Sequence, residues 1–355
     1  MAKRRKKRRK SSLPSGNYRK WILFCALSII VAFIIYFSYR IIGPNTEPFS
    51  DHKYFYIHTG STYNEVLTAL KKQGIVKHIG SFGWLAKKLD YPRHVHAGRY
   101  EIRAGMSNLA IIRLLHSGRQ SPVKLVINKL RTKADFASFA GSKLEPDSVT
   151  IMDLLNDPVY LRQFGLDTND VLCAVIPNTY LFFWNTSAEA VFKKLEEERE
   201  KFWNDKRKSE AVSLGLTDNE VYILASIVEE ETTKNKDKLL VASVYLNRLR
   251  SGMRLAADPT AKFAAGDFAI RRITSRQTSV SSPYNTYLNK GLPPGPICTP
   301  SVNTIDAVLH APKTPYYYFC ANANLSGYNV YAVTYKEHLK NARAYQEALD
   351  SLNIH

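Results

Sequence analysis

The chain has 355 residues, of which 45% are hydrophobic, enough for a globular core and more than one domain. Its formal net charge is +19, but residues 1–20 hold ten Lys or Arg and no acid, so the remainder carries only +9. The basic run Met1–Lys10 resembles a nucleic-acid arm in composition. The apolar segment directly behind it excludes that partner.

Trp21–Tyr39 runs for nineteen residues without a charge, long enough to span a bilayer. Trp21, Tyr36 and Tyr39 stand where interfacial aromatics belong. This pattern predicts a basic cytoplasmic tail over 1–20 and a single-pass transmembrane helix over 21–43, with everything after Arg40 exported. The apolar run exceeds the core of a usual signal peptide, and Arg40–Pro44 offers no small-residue cleavage site, so a retained anchor is expected. The residual +9 suits a surface that meets anionic cell-wall polymers or phospholipid heads.

Residues 44–52 read as a short linker. A small α/β module is expected over 53–120: strand Tyr54–Ile57, a helix opened by the capping box Thr62/Glu65 and closed at Gly74, helix Gly80–Leu89, strand Arg99–Arg103 and helix Asn108–Leu115. A larger α+β domain is expected over 123–352. Its first strand is Val123–Ile127, followed by short polar helices over 132–164, an irregular segment Val171–Tyr180 and one charged amphipathic helix Ser187–Ser209 with a solvated face. A helix over 238–250, a helix Ser301–His310, strands Tyr316–Ala321 and Tyr328–Val333 joined by a turn at Leu325–Gly327, and a terminal helix to Leu352 complete it. His94 and His96 read as surface residues. Cys25 lies in the span, and Cys173, Cys298 and Cys320 read as core residues, an odd set that makes no disulfide framework.

The most informative segment is Val221–Thr232, V-Y-I-L-A-S-I-V-E-E-E-T, entered through a capping box of Thr217 and Glu220. Apolar side chains on nearly every side indicate a buried helix. Carboxylates at the end of a buried helix must be paired, solvated or used. Glu230 falls opposite the stripe of Val221, Leu224, Ala225 and Val228, while Glu229 and Glu231 flank it on either side. Glu229 continues the ridge of Tyr222 and Ala225, so it is the first candidate for a carboxyl raised by burial into an acid near neutral pH. Glu231, on the other flank, is the second. A plain solvated helix end is the alternative.

Five segments stand in order along and downstream of that ridge: A-S-I-V-E-E-E-T at 225–232, V-Y-L-N-R-L at 244–249, D-P-T at 258–260, S-P-Y-N-T-Y at 282–287 and G-L-P-P-G at 291–295. Together they resemble the endolytic murein transglycosylases, the MltG or YceG-like family, from about residue 53 to the C-terminus. Cys173-Ala174 and Ala256-Ala257 depart from the family's pattern, at positions that bear on subsites. The resemblance implies a LysM-like module over 53–120, with a spacer that orients the catalytic domain above the membrane as the equal alternative, a YceG-like catalytic domain over 123–352, and cleavage of the bond between N-acetylmuramic acid and N-acetylglucosamine within peptidoglycan strands, with a 1,6-anhydro product. It implies residence in the cell (inner) membrane and peptidoglycan synthases as partners. Glu229 is the expected acid and base.

The loop from Ser282 to Ile297 suits a sugar cleft. Tyr284 and Tyr287 offer flat apolar faces, Ser282, Asn285 and Thr286 offer neutral donors and acceptors, and the prolines stiffen the backbone. No Gly-rich phosphate loop or ligand cluster implies a nucleotide or metal. Two competing functions are a glycan hydrolase, pairing Glu229 with Asp258 or Asp267, and a non-catalytic glycan-binding scaffold for peptidoglycan synthases.

Overall fold

The computed structural model describes residues 18–270 and 273–351. Most of the basic tail, residues 1–17, and the last predicted helical residue, Leu352, lie outside the described residues. Contacts divide the chain after Ser121 into two units of mixed helix and sheet.

In the first unit, α1 (Tyr18–Ile42) is exposed along nearly its whole length and has a mean hydropathy of 2.5 over its most apolar stretch. Its 25 residues reach about 37 Å at 1.5 Å per residue, against a hydrocarbon layer of about 30 Å. Strand β1 (His52–Ile57) is followed by α2 (Tyr63–Lys72) and α3 (Ile79–Lys88), then β2 (Gly98–Arg103) and α4 (Asn108–His116). The two strands pair antiparallel with Phe55 opposite Tyr100, and Phe55, Leu70, Phe82, Tyr91, Tyr100 and Ile112 fill the core beneath them. The Thr62/Glu65 capping box forms as the sequence requires.

The linker reading of 44–52 does not hold at its start. Asn45 is buried, its amide donating to Asn108 Oδ1 at 2.5 Å and to the His78 carbonyl at 3.3 Å, while its own Oδ1 accepts the His78 amide at 3.0 Å. Asn108 in turn donates to the Arg40 carbonyl at 2.9 Å. A buried amide needs all of these partners, and they come from positions more than thirty residues away, beyond what a local reading reaches.

The second unit opens with β3 (Val123–Val126), followed by α5 (Lys133–Gly141), α6 (Ser148–Leu155) and α7 (Pro158–Arg162). The segment read as irregular ends in a strand, β4 (Thr179–Phe182), antiparallel to β3 with Leu125 opposite Tyr180. Tyr180 and Phe182 both point inward, a period-two signal too short to stand out. The single charged helix is two, α8 (Ala188–Phe202) and α9 (Asp205–Leu214), broken where Trp203 inserts into the core and Asn204 caps the next turn. Nor is its charged face wholly solvated. Arg199 is buried and reaches Glu196 at 3.2 Å, Asp218 at 2.9 Å and Asn219 at 2.7 Å, clasping α8 to the next helix.

That next helix is α10 (Asp218–Glu231), buried from Val221 to Val228. It packs against α11 (Asn235–Arg250), α12 (Asp258–Ala265) and α14 (Val302–Leu309), the short α13 (Ser275–Thr278) preceding the last of these. Strands β5 (Tyr318–Ala321) and β6 (Asn329–Ala332) form a third antiparallel pair. The final helix, α15 (Tyr335–Ser351), lays His338 over the Tyr318 ring at 5.5 Å. Cys173 and Cys298 are buried and Cys320 half-buried, all as free thiols.

Candidate active site

Three successive carboxylates end α10, and the 100° helical step sends them in three directions. Glu229 turns into the protein. Its Oε2 accepts the Lys238 ammonium at 3.0 Å, the Ser301 hydroxyl at 2.9 Å, the Ser301 amide at 3.3 Å and the Thr304 hydroxyl. Lys238, buried where Glu229 is half-buried, also donates to Thr304, at 2.7 Å. Burial pushes the Glu229 carboxyl up, but the hydrogen bonds from Thr304, Lys238 and Ser301 together outweigh it and hold the group below its ordinary range. Such a group holds its charge and is a poor proton donor.

Glu230 faces Lys129 at 2.7 Å and Arg131 at 3.3 Å. Burial again opposes ionisation, and the two cations again prevail and lower it. Glu231 has no cation in reach of a salt bridge among the described residues; its Oε1 accepts the Tyr245 hydroxyl. Here burial wins. Against the hydrogen bond from Tyr245, and with added repulsion from Asp258 and Glu230, it pushes the Glu231 carboxyl up to about 7. The position acts in the same direction, because Glu231 is the last residue of α10, where the helix carries partial negative charge.

Glu230 and Glu231 open onto a cleft of about 540 Å³, which Glu229 does not line. Arg131, Asp258, Lys262, Phe263, Phe268 and Tyr345 are among its walls. The Arg131 guanidinium lies 5.1 Å over the Phe268 ring, a flat cationic and aromatic surface of the kind sugars stack on. Asp258 stands in the first turn of α12 and accepts the Tyr287 hydroxyl at 2.5 Å. The preceding Ala256 adopts a left-handed φ of 45°, and its amide bonds the Thr286 carbonyl at 3.1 Å. The strained turn sets the start of α12, and so Asp258, at the cleft.

The expected glycan-binding loop divides into two roles. Asn285 is fully buried and donates to the carbonyls of Thr278 at 3.0 Å and Val280 at 2.8 Å. Thr286 is buried too, bonded to the Thr260 hydroxyl at 2.7 Å and the Ala257 amide at 3.0 Å. Ser282 accepts the Tyr284 amide at 3.3 Å in a local turn, and Tyr284 packs against Phe263 at 4.7 Å, behind the cleft wall. Neutral donors that looked available to sugar hydroxyls are therefore spent on the loop itself, because a proline-rich segment lacks amides and leaves its carbonyls to side chains. Only Tyr287, through Asp258, reaches toward the cleft.

The N-R pair of α11 is also structural. Asn247 donates to the carbonyls of Thr314 at 2.8 Å and Tyr316 at 2.9 Å, and Arg248 donates to the Tyr317 carbonyl at 2.7 Å. Residues that the sequence reading did not single out are Tyr245, Arg131, Phe263, Phe268 and Tyr345. Tyr245 had a readable signal, as a lone aromatic hydroxyl inside an aliphatic helix must find a buried partner. The others sit in segments without local pattern.

Residues 55–344 match the YceG-like family. The chain is 30% identical over 305 residues to the endolytic murein transglycosylase of Bacillus subtilis (strain 168), covering 81% of this chain and 83% of that protein. It is 26% identical to the endolytic murein transglycosylase of Streptococcus pneumoniae serotype 2, covering 86% of this chain but only 61% of the relative. In structure it is similar to a yceG-like protein from Listeria monocytogenes, with a TM-score of 0.53, 28% identity, and coverage of 82% of this chain and 99% of that one.

Proposed function

The chain belongs to the YceG-like family, and we propose that it is a membrane-anchored lytic transglycosylase that cleaves peptidoglycan strands internally, with Glu231 as its acid and base. The observation that carries this reading is the contrast along one helix end. Glu231 lies on the cleft with its carboxyl raised to about 7, whereas Glu229, the residue favoured by the helical ridge, is neutralised inside by Lys238. The apolar wall expected around Glu229 is in fact the approach of α11 and α14, which brings Lys238, Ser301 and Thr304 to it.

Protonated Glu231 donates its proton to the oxygen joining C1 of N-acetylmuramic acid to N-acetylglucosamine as the C1–O bond breaks. The leaving sugar departs with a free hydroxyl. The ionised carboxylate then takes the proton of the muramic C6 hydroxyl, whose oxygen closes on C1 to form the 1,6-anhydro ring. Water does not enter, the proton returns to Glu231, and one carboxyl serves both steps. A carboxyl that titrates near 7 is suited to both. Tyr245 holds it in place, and the Arg131–Phe268 wall offers a stacking surface for the ring.

A second reading is hydrolysis, favoured by Asp258 standing in the same cleft as the partner a two-carboxylate mechanism would need. The scaffold reading requires no cleft chemistry at all. The basic residues ahead of α1 support a cytoplasmic N-terminus, with the chain beyond Arg40 on the outer side. The strand–helix–helix–strand order of 52–103 supports a LysM-like module, and synthases that extrude new strands are the partners this placement suits.

Mass spectrometry of purified peptidoglycan after incubation with the full chain in detergent separates the readings. New 1,6-anhydro ends support transglycosylation, new reducing ends support hydrolysis, and no new ends support the scaffold.

A further inference from the structure

The basic excess outside the tail is concentrated beside the membrane helix. Residues 44–121 hold eleven Lys or Arg against five Asp or Glu, a net +6, while 122–355 hold 28 against 26, a net +2. The unit carrying that charge is not loosely tethered. Phe37, in the last two turns of α1, meets the Trp84 ring of α3 edge-on at 5.0 Å. Asn108 at the start of α4 holds the Arg40 carbonyl, and Asn45, three residues beyond α1, accepts the Lys77 amide on its carbonyl at 2.9 Å.

These contacts fix a depth. If α1 spans the bilayer, Phe37 lies at its outer edge, and Trp84 against it lies at the level of the headgroups, where tryptophan partitions best. Trp84 is 45% exposed although it is one of the largest apolar side chains in the unit. Phe82, Leu85 and Ala86 carry the inward face of α3, leaving Trp84 with Lys87 and Lys88, one turn further on, on the outer face. Both lysines and Lys77 are exposed.

We propose that the first unit docks on the outer surface of the membrane through Trp84, Lys77, Lys87 and Lys88, which together bind anionic phospholipid headgroups. The lysines supply the attraction and Trp84 the interfacial insertion. Docking would hold the unit at a set height above the bilayer rather than leave it free on a stalk. The inference rests on α1 as a membrane span and is independent of the chemistry assigned to Glu231.

The test uses the full chain in phosphatidylcholine vesicles with and without phosphatidylglycerol, and a shallow doxyl-labelled lipid as a quencher of tryptophan fluorescence. Differences between the wild type and W84F, and between the wild type and W21F, isolate the two tryptophans from Trp184 and Trp203. Docking predicts that the Trp84 signal is quenched with phosphatidylglycerol. The ratio of docked to free should fall about fivefold for each lysine changed to glutamine. A quenched Trp21 signal beside an unquenched Trp84 signal overturns the docking while leaving the span intact. If neither is quenched, the span and the docking both fail. Trp84 quenching that ignores phosphatidylglycerol and the lysines overturns headgroup recognition.

Discussion

Replacing each outer glutamate of α10 by glutamine should change stability in opposite directions. Burial raises the Glu231 carboxyl to about 7 in the folded protein against about 4.3 when unfolded, a gap worth about 3.5 kcal/mol. Because the folded value is the higher one, stability is intact below the unfolded value and is lost as pH rises through the folded value. Glu231→Gln removes that loss, so its benefit should grow from near zero at pH 4 to about 3.5 kcal/mol at pH 8. Glu229 has the reverse sign. Its lowered carboxyl contributes stability above the unfolded value, lost as pH falls through the folded value. Glu229→Gln leaves the buried Lys238 ammonium without its counter-charge and should cost about 3 kcal/mol at pH 8. For a unit of this size each kcal/mol moves the melting temperature by about 2–4 °C, so the two variants should lie on opposite sides of the wild type. Melting curves of the full chain, followed by tryptophan fluorescence at pH 5 and pH 8, measure both effects. A Glu231→Gln variant that melts no higher than the wild type at pH 8, or a Glu229→Gln variant that gains stability there, would refute this linkage.

Tyr245→Phe removes the donor that lowers the Glu231 carboxyl, so the alkaline limb of the pH–rate profile should move up by about 1–2 pH units; a limb that stays in place separates the two residues. Lys238→Met leaves the half-buried Glu229 without its counter-charge and should destabilise by about 3 kcal/mol, seen as a lower denaturant midpoint, whereas an unchanged midpoint would mean that the Lys238–Glu229 pair contributes nothing. Asn285→Ala should act on the loop rather than on the glycan, costing about 2 kcal/mol of stability with KM within twofold in the folded fraction; a KM rise at unchanged stability would return Asn285 to substrate binding. Phe268→Ala should raise KM about tenfold and leave the melting temperature nearly unaltered, as removal of an exposed stacking surface does.

What the sequence made legible is what short-range chemistry determines. The capping boxes at Thr62 and Thr217, the apolar span, the buried face of α10 and the β5–β6 hairpin each announce themselves within about twenty residues. The carboxylates at the end of α10 were legible as candidates. Their separate surroundings were not, because those of Glu229 depend on Thr304, 75 residues downstream, and on Lys238, whose helix folds back over it. The helical ridge gave Glu229 an apolar wall, and the fold placed a buried ammonium in that wall. The loop bonds of Asn285 and Thr286 were illegible for a related reason: a polar side chain on a proline-rich loop serves sugar and backbone equally well until the carbonyls around it are located. The break at Trp203 and the anchoring of Asn45 likewise depend on distant partners.

The mechanism turns on one carboxyl, and the most direct measurement compares the wild type, Glu231→Gln and Glu229→Gln for new 1,6-anhydro ends on purified peptidoglycan at neutral pH, at a temperature where all three are folded. With Glu231 as acid and base, Glu231→Gln should lose the product by at least about a thousandfold, as expected when an acid–base group is removed, and Glu229→Gln should retain a measurable fraction. Retained activity in Glu231→Gln with loss in Glu229→Gln would contradict the assignment.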